Sequence, residues 1–169
     1  MMEASSAEGR GGYLDLSRLT PAEFLGMGSG LLLFVSLFLP WFMTSDTNPH
    51  STIGSAGIGS GASANAFETF ETLDWLLVGA VTAPFILCWI IARGHKLTWK
   101  PGEVTMVVGI TAIVLILCNG IILGRPDPGV DISLSIGYFV ALIAAAGLLV
   151  AGYLRQAFYT TARKPPGVI

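Results

Sequence analysis

The sequence predicts an all-α polytopic membrane protein, an antiparallel up-down-up-down bundle of four transmembrane helices, and three observations carry that prediction. Only 12% of the 169 residues are charged and 53% are hydrophobic, whereas an ordinary soluble domain has about 25% charged residues. Four apolar segments, residues 24–43, 73–92, 104–123 and 132–154, hold the excess. Each has about 20 residues, enough at ~1.5 Å rise per residue to cross a hydrocarbon core of ~30 Å. The basic residues segregate. Arg10 and Arg18 precede the first segment, Arg93, Lys96 and Lys100 separate the second from the third, and Arg155, Arg163 and Lys164 follow the fourth. Arg125 is the one basic residue on the other side, so the positive-inside rule places both termini and the middle loop in the cytoplasm.

Taken in order, residues 1–19 form a cytoplasmic tail whose Gly, Ser and Glu content predicts disorder up to Tyr13. The transmembrane domain, residues 20–155, opens on a helix-start signal. Thr20 can act as N-cap, Pro21 fits the first helical position, where no amide partner is missed, and Glu23 completes a capping box. Pro40 and Trp41 mark the far end of this helix, the proline as a terminator and the tryptophan as an aromatic-belt residue at the outer boundary.

The outer loop, residues 44–72, is dense in Gly, Ser and Ala between Ile53 and Asn65, which predicts flexibility and no core of its own. The stretch AFETFETLDWLL, residues 66–77, then leads into the second helix. On a continuous helix Glu68 and Glu71 share one side while Phe70, Leu73 and Leu77 group on the other, an amphipathic lead-in. Its acids complement the helix dipole, and Trp75 marks the interface.

The middle loop, residues 93–102, is short and basic, with Trp99 as an interface anchor, so the second and third helices are antiparallel neighbours. The outer turn at residues 124–130 is tighter still, and Asp131 can cap the fourth helix. Residues 156–169 are a second cytoplasmic tail.

Few residues offer chemistry. Cys88 falls near the cytoplasmic end of the second helix and Cys118 near the outer end of the third. Helix rise separates them by roughly 15 Å or more, against a Cα–Cα limit of about 7 Å for a disulfide. Both are therefore packing residues. The interiors of the spans offer neutral groups such as Ser36, Thr82, Thr111 and Asn119, which disfavours an ion or proton relay, because such relays use intramembrane ionisable side chains. His50 and His95 fall on opposite faces and cannot share a metal. Neither a nucleophile–base pair nor a metal shell is present, so no catalytic residue, metal or cofactor is assigned and the chain is not read as an enzyme. Glu68, Glu71 and Asp74 are the candidates for contact with an outer partner or a cation. The sparse basic residues point to the lipid bilayer and away from nucleic acid.

Small residues give the clearest positive signal. Gly26 and Gly30 form a Gly-x-x-x-Gly in the first helix, Gly79 and Ala83 repeat the spacing in the second, and Gly137, Ala141 and Ala145 extend it in the fourth, with Gly147 and Ala151 on a further face. Such spacing lets helix backbones approach closely. The contacts are within the bundle, with a second copy, or with the helix of another membrane protein.

With its spans, the Leu39-Pro40-Trp41 exit, the Asp74-Trp75 entry and the Gly/Ala-rich fourth helix, the chain resembles small uncharacterised four-helix integral membrane proteins of bacteria, of actinobacterial type. The resemblance covers roughly residues 24–154 and implies a cytoplasmic-membrane protein with no catalytic residues to transfer. Claudin-like proteins share the coarse topology, but the paired cysteines and Gly-Leu-Trp of their first outer loop are absent. The function expected is a non-enzymatic assembly or scaffold component. The alternative is a channel or carrier subunit for a neutral or weakly polar solute.

Overall fold

The computed structural model describes residues 14–44, 63–70, 72–95, 97–119 and 132–158. The tail up to Tyr13, most of the Gly/Ser/Ala stretch, Glu71, the turn carrying Arg125, the Asp131 cap and residues 159–169 of the C-terminal tail lie outside the described residues. What is described is mostly helical. A 3-10 turn, Leu16–Arg18, leads to α1 (Pro21–Ser36), and then come β1 (Phe42–Thr44), β2 (Ser63–Ala64), the single-turn α2 (Ala66–Thr69), α3 (Leu73–Ala92), α4 (Pro101–Leu117), β3 (Ile132–Leu134) and α5 (Ile136–Phe158).

The helix starts follow local chemistry. Pro21 and Pro101 each occupy the first position of their helix, preceded by extended residues. Glu23 reaches back to accept the Thr20 backbone N–H at 2.7 Å, so its half of the capping box forms. At the end of α3, Gly94 adopts φ +74°, and the His95 N–H reaches back to the Ile90 carbonyl. That left-handed residue closes the helix, as glycine does without steric cost.

Four of the expected boundaries move. The first helix stops at Ser36 instead of reaching residue 43, α4 starts at Pro101 instead of 104, and the last helix occupies Ile136–Phe158 in place of 132–154. The lead-in helix breaks in two, because Phe70 is extended (φ −119°, ψ 139°) between α2 and α3. Hence Glu68, Phe70 and Leu77 do not lie on one continuous amphipathic helix.

The chain leaves the helical state at these places to build a small sheet. The strands β2, β1 and β3 are antiparallel in that order, with Phe42 opposite both Ala64 and Leu134. Beyond the ladder, the Trp41 N–H donates to the Ala64 carbonyl and the Ser135 N–H to the Trp41 carbonyl, both at 2.8 Å. These bonds satisfy backbone groups that the interrupted helices leave over. Pro40 disfavours helix at the residue before it, and the aromatic Phe42 and β-branched Ile132 and Thr44 suit strands.

Trp41 is therefore no interface residue. It is fully buried, and its indole Nε1–H donates to the Ser36 carbonyl at 2.8 Å. Its ring meets Phe70 and Tyr138 edge-on at centroid distances of 5.7 and 5.8 Å. Tyr138 in turn donates its hydroxyl to the Ile116 carbonyl at 3.2 Å, which ties the end of α4 to α5. Trp41→Phe keeps most of the ring packing but loses the indole donor. Because the Leu39 N–H still reaches the Ser36 carbonyl, the expected loss is about 0.5–1.5 kcal/mol, read as a lower midpoint in thermal or denaturant unfolding.

The four long helices form a ring in which α1 packs on α3, α3 on α4, α4 on α5 and α5 back on α1. Directions alternate. Gly26 and Gly30 of α1 face Pro84 and Val81 of α3, and Gly102 and Gly109 of α4 meet the 152–156 and 148–149 regions of α5. The residues flanking Arg18, Arg93, Lys100 and Arg155 thus gather at one end of the molecule, and the sheet covers the other. Leu33, Leu77, Ile116 and Leu148 fill the interior between the two ends, each with no exposed surface.

Candidate functional site

Charge enters the helix interior at the basic end. Glu23 is the third residue of α1 and Arg155 lies in the last turn of α5. Antiparallel packing of these helices brings them together, with Arg155 Nη1 3.0 Å from Glu23 Oε1 and the two side chains only 8% and 6% exposed. The Thr20 hydroxyl bonds to Glu23 Oε2 and accepts from Arg155 Nη1 at 3.2 Å. One carboxylate therefore serves three partners, namely the backbone of Thr20, the Thr20 hydroxyl and the guanidinium of the last helix. Removing a charge pair from water is costly unless its remaining bonding capacity is met, and Thr20 meets part of it.

A cavity of about 20 Å³ adjoins the pair. All four long helices line it, with Glu23 and Gly26 from α1, Pro84 and Cys88 from α3, Thr105 from α4 and Arg155 from α5. Cys88 is buried with its thiol 3.9 Å from the Glu23 carbonyl. It and Cys118 are both free thiols.

The N-terminal turn covers the neighbouring surface. The Asp15 N–H donates to the Ala92 carbonyl at 2.9 Å, and Arg18 bonds Asp15 while its guanidinium lies against Gly94. The Ser17 hydroxyl, followed by Arg18, holds the Asp15 carboxyl below the ordinary aspartate range. Arg93 stacks over the Trp89 ring at 5.0 Å, a cation–π arrangement.

Of the acids singled out in the sequence, Glu68 and Asp74 are among the described residues. Glu68 is exposed and exchanges hydrogen bonds with Asn65, each at 3.0 Å, as the cap of α2. Asp74 is buried, 4% exposed, and accepts from the Trp75 N–H at 2.9 Å. Glu71 is outside the described residues. Among the described residues, no group of three or more His, Cys, Asp or Glu side chains could hold a metal ion.

The small residues divide. A Cβ on Gly26 would sit at ordinary contact distance from Pro84 and Ala151, and one on Gly30 would press on Pro84 and the Val81 carbonyl at 3.0 and 3.1 Å. Gly137 is tighter, 2.7 Å from the Pro40 carbonyl, so it packs under the sheet. Ala141 and Ala145 are fully buried. Gly79 differs, since nothing lies within 4 Å of a Cβ placed there, and Ala83 is only partly covered.

Two features escaped the sequence reading. Glu23 had a sufficient local role as a cap, and Arg155 fell just past the apolar segment, so neither announced a partner. The available signal was that both flank apolar segments at ends expected on the same side. The closest helix approach, α4 against α5, uses Gly102, Gly109 and Gly152. Gly102 and Gly109 are seven residues apart, two helical turns, and so form no Gly-x-x-x-Gly. Comparison with known family models and with curated proteins finds no match for this chain.

Proposed function

We propose that the protein is a non-enzymatic integral membrane protein of the cytoplasmic membrane, with four crossings and both termini inside, and that it acts as an assembly or scaffold component. The observation that carries this reading is the outward apolar surface of every long helix. Leu31 of α1, Ile86 of α3, Val107 of α4 and Ile143 of α5 are each more than half exposed. A soluble protein does not leave such a continuous apolar surface in water, and lipid satisfies it. α3 and α5 are long and apolar enough to cross a membrane. α1 and α4, at 16 and 17 residues, are shorter, about 25 Å by helix rise, and cross together with the flanking sheet and turns. Exposed Trp75 near the sheet end and Trp99 at the basic end fit two interfacial belts, and the clustered basic residues fit the cytoplasmic side. The resemblance to small bacterial four-helix membrane proteins belongs to the same reading.

Scaffolding is favoured over conduction because the interior is filled. Apolar side chains close the middle of the ring, and α4 and α5 touch through backbone. The reading puts a partner on the small residues that the bundle leaves uncovered. Gly26, Gly30, Gly137, Ala141 and Ala145 face inward, which leaves Gly79 and Ala83 on α3 as the small-residue pair open to another helix. In mild detergent a complex heavier than the monomer is expected, and Gly79→Leu is expected to shift it toward monomer by roughly tenfold or more in dissociation constant, as ~1–2 kcal/mol of lost helix contact implies. A wild-type chain that is monomeric at all concentrations would overturn the scaffold reading. Solute flux into reconstituted vesicles, above that of lipid alone, would support the carrier reading in its place.

A further inference from the structure

We propose that the cavity beside Glu23 and Arg155 binds a single water molecule, and that this water hydrates the helix interior from the basic end as far as Cys88 and no deeper. The volume, about 20 Å³, exceeds the ~10–15 Å³ that one water needs, and a retained water requires two to four polar neighbours. The lining includes four residues with polar groups, the paired Glu23 and Arg155 with Cys88 and Thr105. The Thr105 hydroxyl donates to the Pro101 carbonyl at 3.2 Å, and of its atoms Cγ2 lies nearest a Cβ placed on Gly26.

The charged pair makes a water favourable here. Both side chains are more than nine-tenths buried, and a bridging water returns part of the solvation that burial removed. Toward the sheet end Leu33, Leu77, Ile116 and Leu148 fill the interior with no exposed surface, and the buried Ser36 hydroxyl already donates to the Leu33 carbonyl at 2.6 Å. The interior is thus wet at one end and dry beyond it. This conclusion depends on packing alone and holds under either functional reading.

Cys88 is a built-in reporter, because its thiol lines the cavity. In a Cys118→Ala chain in detergent, the S–H infrared band belongs to Cys88 alone, and transfer into D₂O measures how fast water reaches it. The exchange is expected to finish well before that of the backbone amides of Ala144–Leu148, which open only with the whole fold. Gly26→Ala then fills the site. Its Cβ would lie 3.6 Å from Pro84 Cβ, 3.7 Å from Ala151 Cβ and 4.0 Å from Thr105 Cγ2, all without collision. That added methyl is expected to slow Cys88 exchange by roughly tenfold or more, since it takes the space of the water. Exchange in the Cys118→Ala chain as slow as those core amides overturns the proposal, whether or not Gly26→Ala folds. Unchanged rapid exchange in a folded Gly26→Ala chain overturns it too.

Discussion

Arg155→Ala is expected to destabilise the protein by about 3–5 kcal/mol, because it leaves the Glu23 carboxylate buried without its countercharge. Both side chains are nearly buried, 8% and 6% exposed, so bulk solvent screens the pair little. Thr20 cannot compensate, since a hydroxyl and one backbone N–H supply hydrogen bonds but no charge. The double replacement Glu23→Gln with Arg155→Met should recover most of the loss, because removing both charges also removes the desolvation cost. Reversible unfolding in mild detergent, followed by circular dichroism for the wild type, the two single variants and the double variant, gives the coupling directly. Equal, additive effects of the two single replacements would show that the pair does not act as a unit.

Gly152→Ala is expected to cost about 1–3 kcal/mol or more, the range of overpacked cores, although it adds a single methyl. The new Cβ would collide with the Met106 backbone nitrogen and come within 2.7 Å of the Gly102 carbonyl. Backbone atoms in the facing helix cannot rotate away as a side chain can, so α4 and α5 must separate. Gly152→Leu should abolish the monodisperse folded species on size exclusion. Gly28→Ala is the internal control, since its Cβ meets nothing within 4 Å and gains up to ~1 kcal/mol of helix propensity. A Gly152→Ala chain as stable as Gly28→Ala would rule out the close α4–α5 contact.

Much of the helical architecture is legible from local signals. The Thr20-Pro21-Glu23 start of α1 appears where its capping chemistry predicts it, and α3 matches its apolar segment at both ends. The sheet was not legible. Its three strands have two or three residues each, too few for a period of two to emerge from the apolar runs that contain them. Phe42 and Ile132 look like the ends of apolar spans because strand and helix interiors favour similar side chains there. Trp41 shows the same ambiguity. A tryptophan at the end of an apolar segment suits an interfacial belt, and only Phe70, from beyond the outer loop, and Tyr138, from the last helix, make it a core residue.

The amino-acid order settles composition and the places where helices begin, because these depend on neighbouring residues. Tertiary contact decides which acids are paired, which glycines touch and where helices give way to strands. Glu23 and Arg155 are 132 positions apart, and Gly152 meets α4 only after two helices have folded alongside each other. Such meanings arise from packing between distant segments, and local patterns along the chain carry no record of them.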